Sequence, residues 1–276
     1  MSQLHTLPLP AGDLRPVQGS RQFLGTRRFQ VAGERIDQTM GDGEALLLVL
    51  SGTFDLQAGG SQWLQRGVRG DVFGGKACCV FLPAGCPYRA SNGHGEILVV
   101  TARVPELQPE TSQPDGLLSL SALLPIAGSG KAFDPTTGDW RRQEDFALAP
   151  EAILPRRIQT VDLGGLPADV LLPASYKAFA LCAAEAVVPA GRTLQWPDWQ
   201  REAGGRLRRW DHETLLFVRA EGEARVEHAG GAVTVRGDGL VLAADVGPCA
   251  VTATGGRAYV AAFFAGPDKA GARVPA

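Results

Sequence analysis

The 276-residue sequence is short of histidine, has no long apolar run and carries no excess of either charge, and each shortage removes a class of protein. Its four histidines, His5, His94, His212 and His228, are placed so that no two stand two positions apart. Two metal ligands on one face of a strand need that spacing, because alternate strand residues share a face. No stretch approaches the roughly 20 apolar residues of a membrane span. Met1 to Arg15 is polar and proline-rich, without the apolar centre of a signal peptide. A formal net charge of −2 gives neither nucleic acid nor an anionic membrane an electrostatic hold on the chain. The cysteines (Cys78, Cys79, Cys86, Cys182, Cys249) are odd in number and form no Cys-x-x-Cys, as in a cytoplasmic protein with reduced thiols. Gly128-Ser-Gly130-Lys131 fails as a phosphate loop, since Pro125 and Ala132 stand where Gly and Ser or Thr are required. No Gly-x-Ser-x-Gly elbow occurs either.

Glycine and proline, in contrast, are plentiful, at 35 and 19 residues without a period. That pattern fits many tight turns between short strands. Glu44 to Leu50 leads through Ser51-Gly52 into Thr53 to Gln57, then Gly59-Gly60 and Ser61 to Gln65. Cys78 to Leu82 and Glu96 to Thr101 read as two more strands. The second half repeats the order, with Glu213 to Val218, Glu221-Gly222, Glu223 to His228, Gly230-Gly231 and Ala232 to Arg236. Gly70-Asp71 has its counterpart in Gly237-Asp238. The pairs Glu44/Glu213, Gly52/Gly222 and Gly60/Gly231 are 169, 170 and 171 positions apart, the drift expected of a duplicated domain. Between the halves, Leu117 to Leu124 has the composition of a short helix inside a polar connector. The sequence therefore predicts a closed or sandwich-like β architecture, built twice.

The stretch Gly67-Val-Arg69-Gly-Asp71-Val-Phe73-Gly-Gly75 through Phe81-Leu82-Pro83-Ala-Gly85 resembles the bacterial 5-deoxy-glucuronate isomerase family of inositol catabolism. The strand from Glu44 into Leu50-Ser-Gly52 is similar to that family's first barrel. The resemblance covers residues 20–104 well and residues 156–266 mainly through the duplicated layout. It implies an all-β bicupin, two antiparallel β-barrels of the jelly-roll type. The bounds are a tail at 1–19, a barrel at 20–104, a connector at 105–155, a barrel at 156–266 and a tail at 267–276. It also implies interconversion of an aldose acid and a ketose acid, with a divalent metal in the second barrel. Pro83-Ala-Gly85-Cys-Pro-Tyr88-Arg-Ala-Ser-Asn92 fits the second cupin motif, Pro-x-Gly-x-x-His-x-x-x-Asn, except that Tyr88 replaces the ligand histidine. In the second barrel, Asp245-Val-Gly247-Pro-Cys-Ala250 places Ala250 where a histidine belongs, and Gly191 to Gln200 contains none. The expectation is that neither barrel holds a metal or other cofactor.

Without a metal, isomerisation would fall to Glu213 or Asp198 as base. Trp196, Trp199 and Arg209, in a stretch rich in Trp and Arg, can stack on a sugar and fork its carboxylate. The same aromatic residues can equally plug the barrel, with the Arg residues on an exposed loop. Glu44, Tyr88 and His212 complete the candidate substrate contacts. Arg69, Asp71 and Arg89 read as loop salt-bridge residues. The expected partner is a small sugar acid, not nucleic acid or membrane, and the expected assembly is a homodimer. The rival reading is a non-catalytic bicupin that binds or regulates.

Overall fold

The computed structural model describes residues 4–7, 15–16, 24–40, 43–58, 61–75, 77–82, 85–103, 131–134, 139–142, 159–162, 165–172, 181–195, 213–228, 231–243 and 249–265. Every element among them is a strand. They fall into two compact units, Arg27–Arg157 with Tyr176–Phe179, and Met1–Thr26 with Ile158–Ser175 and Ala180–Ala276. The expected helix at Leu117 to Leu124 lies outside the described residues.

The chain opens with β1 (Leu4–Leu7) and β2 (Arg15–Pro16), followed by β3 (Leu24–Ala32) and β4 (Ile36–Thr39). Next come β5 (Gly43–Ala58), β6 (Ser61–Arg66), β7 (Cys78–Leu82) and β8 (Pro87–Arg103). Seven of these eight form one sheet in the order β2-β3-β8-β5-β6, with β4 also on β8 and β7 also on β5. The run Ala45 to Leu50 is buried at every residue, as a strand covered on both faces must be. Beyond it Phe54, Leu56 and Ala58 are buried and Gln57 is half-buried, while Asp55 on the opposite face is also buried.

Within the connector, β9 (Lys131–Asp134) and β10 (Asp139–Arg142) pair as a hairpin. The rest are β11 (Gln159–Asp162), β12 (Pro167–Leu172), β13 (Leu181–Val188), β14 (Thr193–Gln195), β15 (Glu213–His228), β16 (Gly231–Ala243), β17 (Cys249–Thr254) and β18 (Ala258–Ala265). Together with β1 they form a nine-stranded sheet, β1-β16-β15-β18-β13-β12-β11, with β17 joining β14 to β15. Leu4–Leu7, expected as part of a tail, is therefore a strand antiparallel to Leu240–Ala243. Its four residues, Leu4-His-Thr-Leu7, carry too little signal to be read as a strand without the edge that receives them.

The two sheets share one plan. β8 pairs with β3, β4 and β5, and β17 with β18 repeats those pairings on β13, β14 and β15. β16 runs along β15 as one strand, with a register shift between Ala220 and Glu223, whereas the corresponding length of β5 is paired by two strands, β6 and β7, with residues 67–77 between them. Two of the glycines that mark the repeat, Gly52 and Gly222, sit where strands approach closely. Gly52, with φ +84°, lies so close to β8 that a Cβ would meet the His94 carbonyl oxygen at 1.8 Å. A Cβ on Gly222 would meet the Thr254 carbonyl oxygen at 2.7 Å. Neither glycine turns the chain back; β5 and β15 bend there and continue as single strands. Asn92 to Gly95, which has the composition of a turn, is likewise an irregularity inside β8, with φ +50° at Asn92.

Candidate functional site

In the first unit the corner motif aims Tyr88 inward as expected. Gly85 takes φ +71°, and β8 then begins so that Tyr88 faces Ala58 on β5 and Gln38 on β4. Tyr88 is 4% exposed. Burial pushes its hydroxyl above the ordinary range, and the charge of Arg27 and a hydrogen bond from it pull it partly back. Arg27 also donates from Nη1 to Gln38 Oε1 at 2.7 Å. The position of the usual ligand histidine is thus occupied by a phenol beside a guanidinium, a poor place for a second cation.

The motif's asparagine is structural. Asn92 Nδ2 donates to Asp55 Oδ2 at 2.9 Å, while Asp55 Oδ1 accepts from the Gln65 backbone N–H at 2.8 Å and from its side-chain amide at 3.0 Å. These bonds hold the Asp55 carboxyl below its ordinary value, the Asn92 amide most of all. Arg69 is buried and donates from Nε to the Val49 carbonyl at 3.1 Å, and Asp71 accepts from the Phe73 N–H at 2.8 Å. Arg89 does form an ion pair, with Asp37 at 3.0 Å.

In the second unit the register corrects the corner by one residue. Leu56 opposite Ala90 and Ala58 opposite Tyr88 correspond to Val226 opposite Val251 and His228 opposite Cys249. Cys249, 2% exposed, is the inward residue, and Ala250 is half-buried on the neighbouring row. Directly opposed residues share a face with Cβ atoms about 4.5–5.5 Å apart, so His228 and Cys249 side chains adjoin. Burial pushes the Cys249 thiol up to about 12. Both residues line a cavity of about 180 Å³ with Gln195, Glu227 and Ala250.

Most residues singled out in the sequence cannot be placed around this cavity. Asp198, Trp196, Trp199, Arg209 and His212 lie outside the described residues. Glu44, second in β5, and Glu213, first in β15, lie opposite Ala102 and Ala265, and only their backbones are described. His228 is legible as the inward end of the alternating run Ala224-Arg-Val-Glu-His228, in phase with Val226. A low histidine count points to missing ligand pairs and away from this single residue.

The family's second-barrel metal can be tested against these side chains. His228 and Cys249 supply two donors, and among the described residues no three His, Cys, Asp or Glu side chains converge. Metal centres in proteins take three or four protein ligands, so the described residues do not fit one.

Residues 19–116 match the model of the KduI/IolB family. No curated protein matches the chain. Among solved structures, an IolB-like protein from Salmonella typhimurium LT2 is similar at 19% identity and a TM-score of 0.62, over 96% of this chain and 92% of that one. An oxalate decarboxylase from Lactobacillus farciminis is similar at 12% identity and a TM-score of 0.55, over 95% and 86%. A mutant of Bacillus subtilis oxalate decarboxylase gives 12% identity and a TM-score of 0.55, over 95% and 77%. At such identities the structures speak for the fold alone, an all-β bicupin. No helix among the described residues is long and apolar enough to cross a membrane. The family model covers the stretch from Glu44 to Asn92, so the resemblance read there is borne out.

Proposed function

We propose that the chain is a divergent sugar-acid isomerase of the 5-deoxy-glucuronate isomerase kind, a cytoplasmic bicupin that interconverts an aldose acid and its ketose. The observation that carries this reading is the KduI/IolB match over residues 19–116, which supports an isomerase-like cupin in general. The divergence lies at the two corners, where Tyr88 and Cys249 face inward. Aldose–ketose isomerisation needs a base at the carbon beside the carbonyl and an electrophile on the carbonyl oxygen. Glu213 or Asp198 serves as the base, and an Arg or Tyr polarises the oxygen in place of a metal. Trp196 and Trp199 stack on the sugar, Arg209 forks its carboxylate, and Glu44, Tyr88 and His212 make further contacts.

The test is turnover of 5-deoxy-glucuronate and D-glucuronate by the purified protein, followed as ketose formation by NMR. Glu213→Gln should lower turnover by at least about 100-fold, the usual worth of a general base. Unchanged turnover would remove Glu213 from the mechanism. Stoichiometric Mn, Fe, Ni or Zn in the active protein would overturn the metal-free part of the reading. Binding of uronates without turnover would move the chain to the rival class, a non-catalytic sugar-acid-binding bicupin.

A further inference from the structure

Among the described residues only two large apolar side chains stand in solvent, Leu64 at 58% exposure and Val68 at 85%. Single exposed apolar residues are ordinary on a protein surface, but these two lie four positions apart on one stretch of the first unit. Leu64 belongs to β6, the last strand of its sheet, and Val68 to the loop that follows it. In the second unit β16 takes the place of β6 and is covered by β1, whereas no described strand covers β6.

Val68 is held out by the backbone on either side of it. The Gly67 carbonyl accepts from Thr53 Oγ1 at 2.8 Å, and a Cβ on Gly67, at φ +88°, would meet the Gly52 carbonyl oxygen at 2.6 Å. The Arg69 carbonyl accepts from the Gly52 N–H at 2.9 Å, and its side chain is buried against Val49. With both neighbours tied to β5, Val68 is fixed facing outward. An apolar side chain fixed in this way meets a partner without the cost of ordering it, as the anchors of interfaces do.

The charges beside Val68 say what the partner is. Arg66 is half-buried, with no hydrogen-bond partner at Nε, and Asp71 is exposed. A two-fold contact sets one residue against a second and, across the axis, the second against the first. An axis beside Val68 faces Val68 with Val68 and brings Arg66 of each copy toward Asp71 of the other. Cation, apolar tip and anion in that order are complementary to themselves. The contact is made by side chains and not by extending the sheet. Leu64 and Gln65 together stand opposite Asp55, and this bulge, with φ +50° at Gln65, twists the edge.

We propose that the β6 edge and the loop after it, with Val68 at the centre, form the surface by which the chain pairs with a second copy of itself about a two-fold axis.

Sedimentation velocity of the full-length protein over a wide range of concentration reads the association. Wild type should pass from monomer to dimer as concentration rises. Val68→Asp and Leu64→Glu should each weaken the dimer at least tenfold, and Val68→Asp should leave the melting temperature of the monomer unchanged. A wild type that stays monomeric, or variants that dimerise as tightly as wild type, overturns the proposal. The two-fold pairing has its own readout. Arg66→Glu and Asp71→Lys should each dimerise poorly alone and recover as a mixture, because one copy then carries two anions and the other two cations. A mixture of the folded variants that stays monomeric overturns that pairing. Should Arg66→Glu fail to fold, Val68→Asp and Leu64→Glu decide.

Discussion

At Asp55 one carboxylate collects three hydrogen bonds, from the Gln65 backbone, the Gln65 amide and Asn92. Both of its partners have left-handed backbones, φ +50° at Gln65 and at Asn92. The cluster therefore fixes two strained positions as well as a charge. Its carboxyl is held below its ordinary value of 3.8. A group depressed in this way stabilises the fold above the unfolded value and loses that contribution as pH falls through the folded one. Wild type should thus lose stability as pH drops from about 4 toward the folded pKa. Asp55→Asn, which turns an amide NH₂ toward donors, should be less stable at pH 7 and flatter below pH 4. Urea midpoints at pH 7 and pH 3 check this; an equal loss between the two pH values in both proteins would remove Asp55 from acid stability. The motif's Asn92 is visible in the sequence, but its partner is not, because 37 residues separate it from Asp55.

The strand pattern, the repeated glycines and the corner are all legible in the sequence, because each depends on local chemistry. Alternation in Phe54, Leu56 and Ala58 and the unbroken run Ala45 to Leu50 state which faces are covered. What a Gly pair does is less legible. Ser51-Gly52 looks like a hairpin turn, yet β5 continues through it as one strand, because Gly52 serves the close approach of β8 and not a reversal. The two uses of glycine separate by mutation. Gly85→Ala meets nothing within 4 Å and must bear only φ +71°, a cost of about 1–2 kcal/mol. Gly52→Ala adds a Cβ 1.8 Å from a backbone oxygen on top of φ +84°, and should cost more than about 4 kcal/mol, in the range of severe core damage. Chemical denaturation of both variants tests the contrast, and equal costs would mean that β8 shifts aside freely. The one-residue error at the second corner has a similar source: spacing from Gly247 is a loop property, whereas the pairing of Cys249 with His228 is fixed by the ladder.

For the whole molecule, the informative departure is that the second unit is not one continuous stretch of chain. It takes Met1–Thr26 together with Ile158–Ser175 and Ala180–Ala276. Duplication read from the sequence divides the chain into successive halves, and nothing in Leu4–Leu7 says that it crosses that division. In the fold its backbone pairs with β16 from Leu240 to Ala243, on the side of β16 away from β15. Without β1 that length of β16 becomes an open edge, and unpaired N–H and C=O groups on an apolar strand invite pairing with another chain. Val241 and Leu242 are 1% and 0% exposed, so the edge that would open belongs to a core strand. Deleting residues 2–8 from the full chain should lower the melting temperature by roughly 2–4 °C for each kcal/mol of pairing lost. It should also raise self-association at high protein concentration. Differential scanning calorimetry and sedimentation velocity read the two effects, and a synthetic peptide of residues 1–10 should reverse both by refilling the edge. A deletion variant that melts and sediments like wild type would show that β1 adds nothing to the sheet it joins.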